Sequence, residues 1–247
     1  MIVAIHQPHF MPWLGYLDRM LRADVFILLD HVQFERRNYQ NRTKIRLEDE
    51  AKWLTVPVVQ LSQKERIVEK RVDNPPEAGD RWWGPSSFQT LRYAYRKAPF
   101  FDPYAEPLRE IFEKRWDRLV DLNQATLDFL REAYDIRTPL LKSSDLQVEG
   151  QKSGLLLNLC TAIGGTCFLG GMGGSRHYLD LPAFEQAGVG VMWQDFKHPQ
   201  YPQCGTAPFI PGLSALDLLF NVGPQARDVL HGAGTRKASH DGERVAA

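Results

Sequence analysis

The chain opens with three segments whose patterns of apolar and polar residues differ. Residues 2–5 form a short apolar run, which predicts a strand, and apolar side chains recur at helical spacing from about residue 12 to residue 22. Residues 24–29 are almost continuously apolar, which is typical of a strand buried on both faces of a sheet. A strand, an amphipathic helix and a second buried strand in this order predict a parallel βαβ unit.

The pattern changes after residue 30 and returns to strand–helix alternation near residue 138. The polar stretch between them predicts an insertion over residues 31–135, with antiparallel hairpin strands at 53–59 and 67–72 and helices at about 87–97, 104–116 and 119–134. Beyond it, the apolar runs predict strands at 138–142, 166–170 and 189–194, and helices at 151–163, 181–187 and 214–222.

These elements predict an α/β fold. We expect a Rossmann-like, doubly wound and mainly parallel sheet of about five strands, with an inserted β-hairpin and helical segment. Residues 1–231 should form a single α/β catalytic domain. Residues 232–247 lack an apolar period, so we expect them to be a disordered tail.

The composition narrows the classes of function. Thirty basic residues balance thirty acidic ones among 247, so the net charge predicts no broad attraction to nucleic acid or to a membrane surface. Cys160, Cys167 and Cys204 are too few and too irregularly spaced for a disulfide framework or a zinc site, and we expect a reduced, cytoplasmic compartment. The sequence shows neither the pattern of a signal peptide nor a run of about eighteen apolar residues, so we expect no targeting or membrane-spanning segment.

The most informative polar cluster follows the first predicted strand. His6, Gln7 and His9 lie in the turn before the first helix, and Tyr16 lies in that helix. In an open parallel sheet this turn is at the carboxyl edge, where ligands bind. A histidine there can transfer a proton or donate to an anion, although a hydrogen bond to the loop backbone would also explain it. We predict the two histidines as catalytic residues, and the glutamine and tyrosine as substrate contacts.

A cation-rich segment follows the second predicted strand. Its polar side chains are those of Asp30, Gln33, Arg36, Arg37, Asn38, Asn41 and Arg42. Guanidinium and amide groups suit the recognition of phosphate or carboxylate, whereas a charged run is otherwise a solvated surface. Because this segment starts beside the first loop, we predict all of these residues except Arg36 as substrate-binding.

A further group of polar residues follows the last predicted strand. His198 is a candidate for proton transfer, and Tyr201 and Gln203 could orient an acceptor. Ser214 starts the last predicted helix, where it could bind a phosphate while capping the helix. Asp217 lies one turn later, so it could contact substrate or close a capping box.

Two other signals are less specific. The glycine-rich stretch 169–175 could cradle an anion, but its spacing matches neither the dinucleotide fingerprint nor the Walker loop, and a flexible connection is the alternative. A nucleophilic pair of Cys204 and His198 lacks a local activating signature. The histidines lack the spacing of metal ligands, so we predict no metal site.

Seven motifs, spread over most of the chain, resemble the WbqC-like proteins. They are His6-Gln-Pro-x-x-x-Pro-Trp-Leu-Gly-Tyr16, Ala23-Asp-Val-Phe, Leu29-Asp-x-Val-Gln-Phe34, Arg37-x-Tyr-Gln-Asn-Arg42, Leu54-Thr-Val-Pro-Val58, Tyr201-Pro-Gln203 and Leu213-Ser-x-x-Asp-Leu-Leu-Phe-Asn221. The resemblance implies an association with surface-polysaccharide and secondary-metabolite pathways, often near amino-sugar chemistry. From that context it implies transfer of an acyl or aminoacyl group to an amine.

A fainter resemblance concerns the first βαβ unit, which is similar to that of the nucleotidylyltransferase superfamily. That superfamily has a His-x-Gly-His turn at a helix start and a later Ser-rich helix start that binds phosphate. Residues 13–16 and 213–217 occupy those places here, and both motif histidines are absent, although His6 and His9 could replace them. Some relatives activate a carboxylate with ATP and pass it to an amine, which would make ATP with Mg²⁺ the cofactor.

The leading hypothesis is therefore an enzyme that forms an amide by acyl or aminoacyl transfer to a small-molecule amine. Arg37, Arg42 and Ser214 would hold a phosphate or carboxylate of the donor. The alternatives are a nucleotidyltransferase-like, ATP-dependent ligase and a non-catalytic protein that binds a sugar or a carrier. The basic stretch 36–46 could also dock an acidic acyl carrier protein. All of these hypotheses expect the segments near residues 6, 37, 198 and 214 to surround one cavity.

Overall fold

A five-stranded parallel sheet lies at the centre of the molecule. The computed structural model describes residues 1–74, 82–171, 173, 176 and 178–234. In chain order, the strands of these residues are β1 (Ile2–His6), β2 (Val25–Leu28), β3 (Arg42–Leu47), β4 (Glu50–Thr55), β5 (Leu140–Lys142), β6 (Cys167–Gly170) and β7 (Gly190–Trp193). The order across the main sheet is β5-β2-β1-β6-β7, and each neighbouring pair is parallel. This confirms the predicted α/β class.

Helices cover both faces of this sheet. The α-helices of the described residues are α1 (Leu14–Arg22), α2 (Trp83–Tyr95), α3 (Phe101–Glu113), α4 (Leu119–Ala133), α5 (Lys152–Ala162), α6 (Leu181–Gln186), α7 (Ala215–Val222) and α8 (Ala226–Gly234). Ala4 and Phe26 belong to the larger apolar core, which includes side chains of α1 to α4, α7 and α8. Val3 and Ile27 point the other way, into a core with α5 and α6. Burial on both faces explains why the sheet strands read as continuous apolar runs.

The inserted hairpin is present, but its strands differ from the prediction. It consists of β3 and β4, paired antiparallel with Leu47 opposite Glu50. Of the predicted pairing between 53–59 and 67–72, the structure has an antiparallel bridge between Val58 and Val72, whereas residues 67–69 form a short 3₁₀ turn. Glu48 and Asp49 have φ angles of 53° and 61°, so the connection is a two-residue turn with both residues left-handed. The usual Asn-Gly or Asp-Gly signal of such a turn is missing. The charged side chains of β3 also hide its alternation from the sequence pattern.

The last two helices pack close together near the end of the chain. Ser214 caps α7 as predicted, because its hydroxyl accepts from the Leu216 amide, and Gly223 ends α7 with a φ of 66° that favours glycine. Helix α8 was not predicted, and it continues to Gly234, so residues 232–234 are helical rather than part of a tail. Leu230 holds this helix in place because it is completely buried. Residues 235–247 of the predicted tail lie outside the described residues.

Candidate functional site

The topology of the sheet marks the place where doubly wound folds bind their ligands. From β1 the chain proceeds to β2 and β5 on one side, whereas β6 and β7 extend the sheet on the other side. Connections therefore diverge from the adjacent strands β1 and β6, and doubly wound sheets bind ligands at the carboxyl ends of such a pair. His6 ends β1 and Gly170 ends β6. The loops that follow these two residues define the candidate site.

Three predicted side chains meet at the end of β1. The ring centroids of His6 and His9 lie 4.6 Å apart, edge to face, and the ring of Tyr16 lies 4.7 Å from His6 and 5.3 Å from His9. His6 is the last residue of β1, His9 lies in the loop that follows, and the first turn of α1 carries the tyrosine. Met11, within this loop, adopts a left-handed φ of 45°. Its strained conformation is fixed because its carbonyl accepts from the hydroxyl of Thr43.

Both imidazoles of the cluster are neutral at pH 7. Burial, followed by the charges of His9 and Arg19, holds the pKa of His6 well below its usual value. Burial and the charge of Arg19 lower the pKa of His9 to about 3. His6 Nδ1 lies 3.0 Å from the carbonyl oxygen of Gln7, and because a carbonyl only accepts, this contact assigns the proton to Nδ1. The lone pair is then on Nε2 of His6, which can accept a proton.

His9 is the more buried of the two histidines. It is 6% exposed, and its Nδ1 atom has no hydrogen-bond partner in the part of the chain that the structure describes. Its ring stacks on Tyr39 at 5.5 Å, and the Phe10 amide donates to the Tyr39 carbonyl at 3.0 Å. These contacts bind the first loop to the cation-rich segment after β2. The pairing of Gln40 Nε2 with Gln7 Oε1 at 2.9 Å adds a second link.

Arg19 completes the cluster, although sequence reasoning missed it. The side chain is 9% exposed, and its Nε donates to Gln194 Oε1 at 2.9 Å. Gln194 Nε2 in turn donates to Asp18 Oδ2 at 2.6 Å and to the Gly15 carbonyl at 2.8 Å. A Cβ atom on Gly171 would lie 2.1 Å from Arg19 Nη2, so the guanidinium rests against the backbone just after β6.

The charge of Arg19 is not balanced locally by an ion pair. Among the described residues, no carboxylate oxygen lies within 4.0 Å of its nitrogen atoms. Burial lowers the pKa of its guanidinium, and Tyr16 and Asp18 oppose that shift. A buried guanidinium without a carboxylate suits an anionic ligand. The signal in the sequence was a lone cation between Leu17 and Met20 on the apolar face of α1.

Most of the predicted polar residues after β2 bind other parts of the protein. Asp30 is fully buried and accepts from Ser143 Oγ, from the Ser144 amide and from Ser144 Oγ at 2.8–2.9 Å. Asn41 Nδ2 donates to the Val56 carbonyl at 2.8 Å. The contacts of Asp30 hold the end of β5 in place, and the contact of Asn41 holds the residue after β4. Both side chains thus have partners within the protein.

Gln33 and Asn38 also bind nearby chain segments. Gln33 Nε2 donates to the Gln63 carbonyl at 2.7 Å, and Asn38 Nδ2 donates to Glu35 Oε2 at the same distance. The Asn38 side-chain oxygen accepts from the Tyr39 amide at 2.7 Å. Both side chains therefore organise the loop after β2, although Gln33 remains exposed.

The arginines of this segment are arranged differently. Arg36 and Arg37 are exposed and line a cleft of about 600 Å³. Arg42 donates through Nη2 to the Arg37 carbonyl, and its guanidinium carbon lies 4.0 Å from the ring centroid of Trp53. Arg37 has a left-handed φ of 64°, which its backbone contact with Arg42 supports. The cleft therefore has free cationic groups at its surface.

The predicted residues near the end of the chain form a buried network. Tyr201 Oη and Gln203 Nε2 donate to Asp217 Oδ2 at 2.9 Å and 2.7 Å, and Arg46 Nη1 donates to Gln203 Oε1 at 2.9 Å. Asp217 is fully buried, and burial raises the pKa of its carboxyl while the donors from Tyr201 and Gln203 oppose the shift. Arg46 also binds Asp49 at 2.7 Å, so the network fastens the loop before α7 to the hairpin.

Ser214 has no free donor or acceptor for a phosphate. Its hydroxyl donates to the Met11 carbonyl and accepts from Leu216, and the Ala215 amide at the helix start donates to the Pro12 carbonyl. The residue is 1% exposed. Its role in this structure is to cap α7 and join it to the first loop, because the anion-binding groups of the helix start are already occupied.

His198 lies in an aromatic cluster. Its ring is 6.0 Å from Phe196 and 6.2 Å from Tyr201, and Phe196 lies 5.5 Å from Trp13 of the first loop. Its Nδ1 pairs with the Pro199 carbonyl at 2.9 Å, and burial lowers the pKa of the ring. The structure thus connects the segments near residues 6, 37, 198 and 214 through contacts. The polar groups that it places at the carboxyl ends of β1 and β6 belong to the end of β1, the first loop, α1 and the residue after β7.

The remaining sequence signals add no group to this site. Within the described ranges, no three His, Cys, Asp or Glu side chains are grouped so that they could hold a metal ion. Burial raises the pKa of the Cys204 thiol, which disfavours a thiolate nucleophile. Part of the glycine-rich stretch, residues 172, 174 and 175, lies outside the described residues. No helix in the part of the chain that the structure describes is long and apolar enough to cross a membrane.

Comparisons with known proteins agree with the resemblance seen in the motifs. The sequence model described as the WbqC-like protein family matches residues 7–229. The chain is 32% identical over 231 residues to the uncharacterized protein Rv1507c of Mycobacterium tuberculosis (strain ATCC 25618 / H37Rv), and the match covers 92% of this chain and 96% of that protein. No solved structure matches the chain.

Proposed function

The chain belongs to the WbqC-like protein family, and we propose that it is an enzyme that transfers an acyl or aminoacyl group to an amine. One observation supports this proposal above the others: neutral His6, with its lone pair on Nε2, lies close enough to Arg19 for the guanidinium charge to lower its pKa, and Arg19 has no ion-pair partner among the described residues. A proton acceptor beside a cation is what attack by an amine on a carbonyl requires.

The proposed reaction exchanges one bond at the acyl carbon. The amine nitrogen of an amino sugar or a secondary-metabolite intermediate forms a bond to the carbonyl carbon, and the bond from that carbon to the leaving group breaks. The amine proton passes to His6 Nε2 and then to the leaving group. Arg19 donates to the carbonyl oxygen, on which negative charge develops. Gln194 fixes the guanidinium through its 2.9 Å contact with Nε.

The coupling between Arg19 and His6 favours an anionic donor. The charge of Arg19 is one cause of the low pKa of His6. An anionic group of the donor that pairs with Arg19 would offset this charge, so the basicity of His6 would rise when the donor binds. Binding of the donor would thereby make His6 a better proton acceptor.

The test is amide formation from defined donors and acceptors. The purified protein is incubated with acyl-coenzyme A or aminoacyl thioesters and a panel of free and nucleotide-linked amino sugars, and the products are identified by mass spectrometry. We expect His6→Ala and Arg19→Gln each to reduce the rate by about a hundredfold or more. His231→Gln, which changes an exposed histidine of α8, is the matched control and should leave the rate unchanged.

Other results would assign a different function. Full activity of His6→Ala would remove His6 from the mechanism. Formation of product only with ATP, together with release of AMP and pyrophosphate, would identify an ATP-dependent ligase instead. Thermal stabilisation by a sugar or a carrier without any turnover would identify a binding protein.

A further inference from the structure

A cationic cleft lies on the segment after β2 and the end of the hairpin. Its lining includes Arg36, Arg37, Asn41, Val56 and Val58, and its volume is about 600 Å³. Neither arginine is ion-paired with a carboxylate in the described part of the chain. Two adjacent guanidinium groups at one concave surface suit a ligand with two neighbouring phosphates.

The acidic residue of the adjoining cleft already has a hydrogen-bond donor. Glu35 lines the adjoining cleft together with Gln60, and its Oε2 accepts from Asn38 Nδ2 at 2.7 Å. The charge of Glu35 contributes to the raised pKa of Tyr178, which lies after β6. Glu35 therefore interacts with neighbouring side chains, while Arg36 and Arg37 line the cleft without an ion-pair partner among the described residues.

An exposed aromatic ring lies on the hairpin two residues before Thr55, which lines the same cleft. Trp53 on β4 is 41% exposed, and its ring lies against the guanidinium of Arg42, which also donates to the Arg37 carbonyl. The Nζ atom of Lys44 lies 5.2 Å from the ring centroid because the hairpin pairs Lys44 with Trp53. Exposed indole rings bind planar bases by stacking, and cations beside them bind the attached phosphates.

A row of rings joins this surface to the buried site. Trp53 lies 5.3 Å from Tyr39, Tyr39 lies 5.5 Å from His9, and His9 lies 4.6 Å from His6. These ring contacts run from Trp53, two residues before Thr55 of the cleft lining, to the proton acceptor. A ligand anchored at the cleft could extend a reactive group toward His6.

We propose that the cleft binds a nucleoside diphosphate, with the diphosphate on Arg36 and Arg37 and the base on Trp53. The group attached to the diphosphate extends toward the histidines, which makes a nucleotide-linked amino sugar the acceptor; this last step rests on the proposed function. The exposed indole and the concave shape favour such a small molecule over the surface of an acidic carrier protein.

The test is calorimetric titration of the full chain with uridine diphosphate at low salt. We expect saturable binding, with uridine alone and pyrophosphate alone at least tenfold weaker. The double variant Arg36→Gln/Arg37→Gln should lose at least tenfold in affinity, and Trp53→Leu severalfold. The matched control is Arg96→Gln/Lys97→Gln, because this exposed cation pair lines a different cleft beside exposed Tyr93; it should bind as the wild type does.

Three results would overturn the proposal. The first is that none of uridine, thymidine and adenosine diphosphates binds. The second is that the Arg36→Gln/Arg37→Gln variant binds uridine diphosphate as tightly as the wild type. The third is that no nucleotide binds but a phosphopantetheinylated acidic carrier does, and that this variant abolishes the binding of the carrier. The titration requires no turnover, and His6→Ala should bind uridine diphosphate normally. A protein that binds it at this cleft but forms no amide would therefore refute the proposed function alone.

Discussion

Burial of neutral His9 makes the stability of the protein depend on pH. Its pKa is about 3 in the folded chain and 6.5 in an ordinary environment, so the unfolded chain binds more protons between these two values. Stability therefore falls as the pH falls below about 6.5. Between pH 7.5 and pH 5 the loss due to His9 alone is about 2 kcal/mol, from the proton-binding difference of one site with these pKa values.

The assay is urea unfolding of the wild type and His9→Gln at pH 7.5, 6 and 5. We expect the free energy of unfolding of the variant, relative to wild type, to rise by about 2 kcal/mol from pH 7.5 to pH 5, because the variant has no imidazole to protonate. His231→Gln, at an exposed position on α8, should remain parallel to the wild type. A constant difference between His9→Gln and wild type across this range would refute the burial argument.

Three further substitutions test individual contacts. Asp30→Ala should lower the free energy of unfolding, measured in urea, by about 3 kcal/mol or more, because it removes a fully buried carboxylate that accepts three hydrogen bonds. A loss below about 1 kcal/mol would contradict this. Ser214→Ala should destabilise by about 1 kcal/mol through the lost cap, and unchanged stability would count against it. Gly171→Ala should displace the guanidinium of Arg19 and reduce the rate of amide formation by about a hundredfold, while the free energy of unfolding changes by about 1 kcal/mol or less. Normal activity of this variant would show that Arg19 takes no part in the reaction.

The sequence predicts the parallel core well because its strands are buried on both faces. A strand covered by helices has to be apolar along its whole length, so β1 and β2 are visible as uninterrupted runs. The hairpin was misplaced for the opposite reason. Arg46 is 3% exposed, yet it satisfies its charge through Asp49, Gln203 and the carbonyl of Ala207, and sequence alone does not show such distant partners.

In the candidate site, too, features set by neighbouring residues in the chain could be predicted, whereas features set by distant residues could not. The first loop could be predicted as polar and at the carboxyl edge, because strand order and the following helix follow from local patterns. Arg19 could not, because its importance depends on Gln194 and Gly171, which lie more than a hundred residues away in the chain. Asp30 and Ser214 remain predictions as ligand contacts, and the structure gives both side chains partners within the protein. Polar side chains that organise loops look the same in sequence as those that bind substrate.

The proposed function requires His6 and Arg19 to act in one site at the carboxyl ends of β1 and β6. Nitrogen-15 NMR of the histidine rings, with His6 assigned from the spectrum of His6→Gln, tests it directly. We expect a neutral His6 with its proton on Nδ1 and a pKa well below 6.5. The pKa of His6 should rise in Arg19→Gln, because the charge that helps to lower it is removed. A His6 that titrates near 6.5 and does not respond to Arg19→Gln would contradict it.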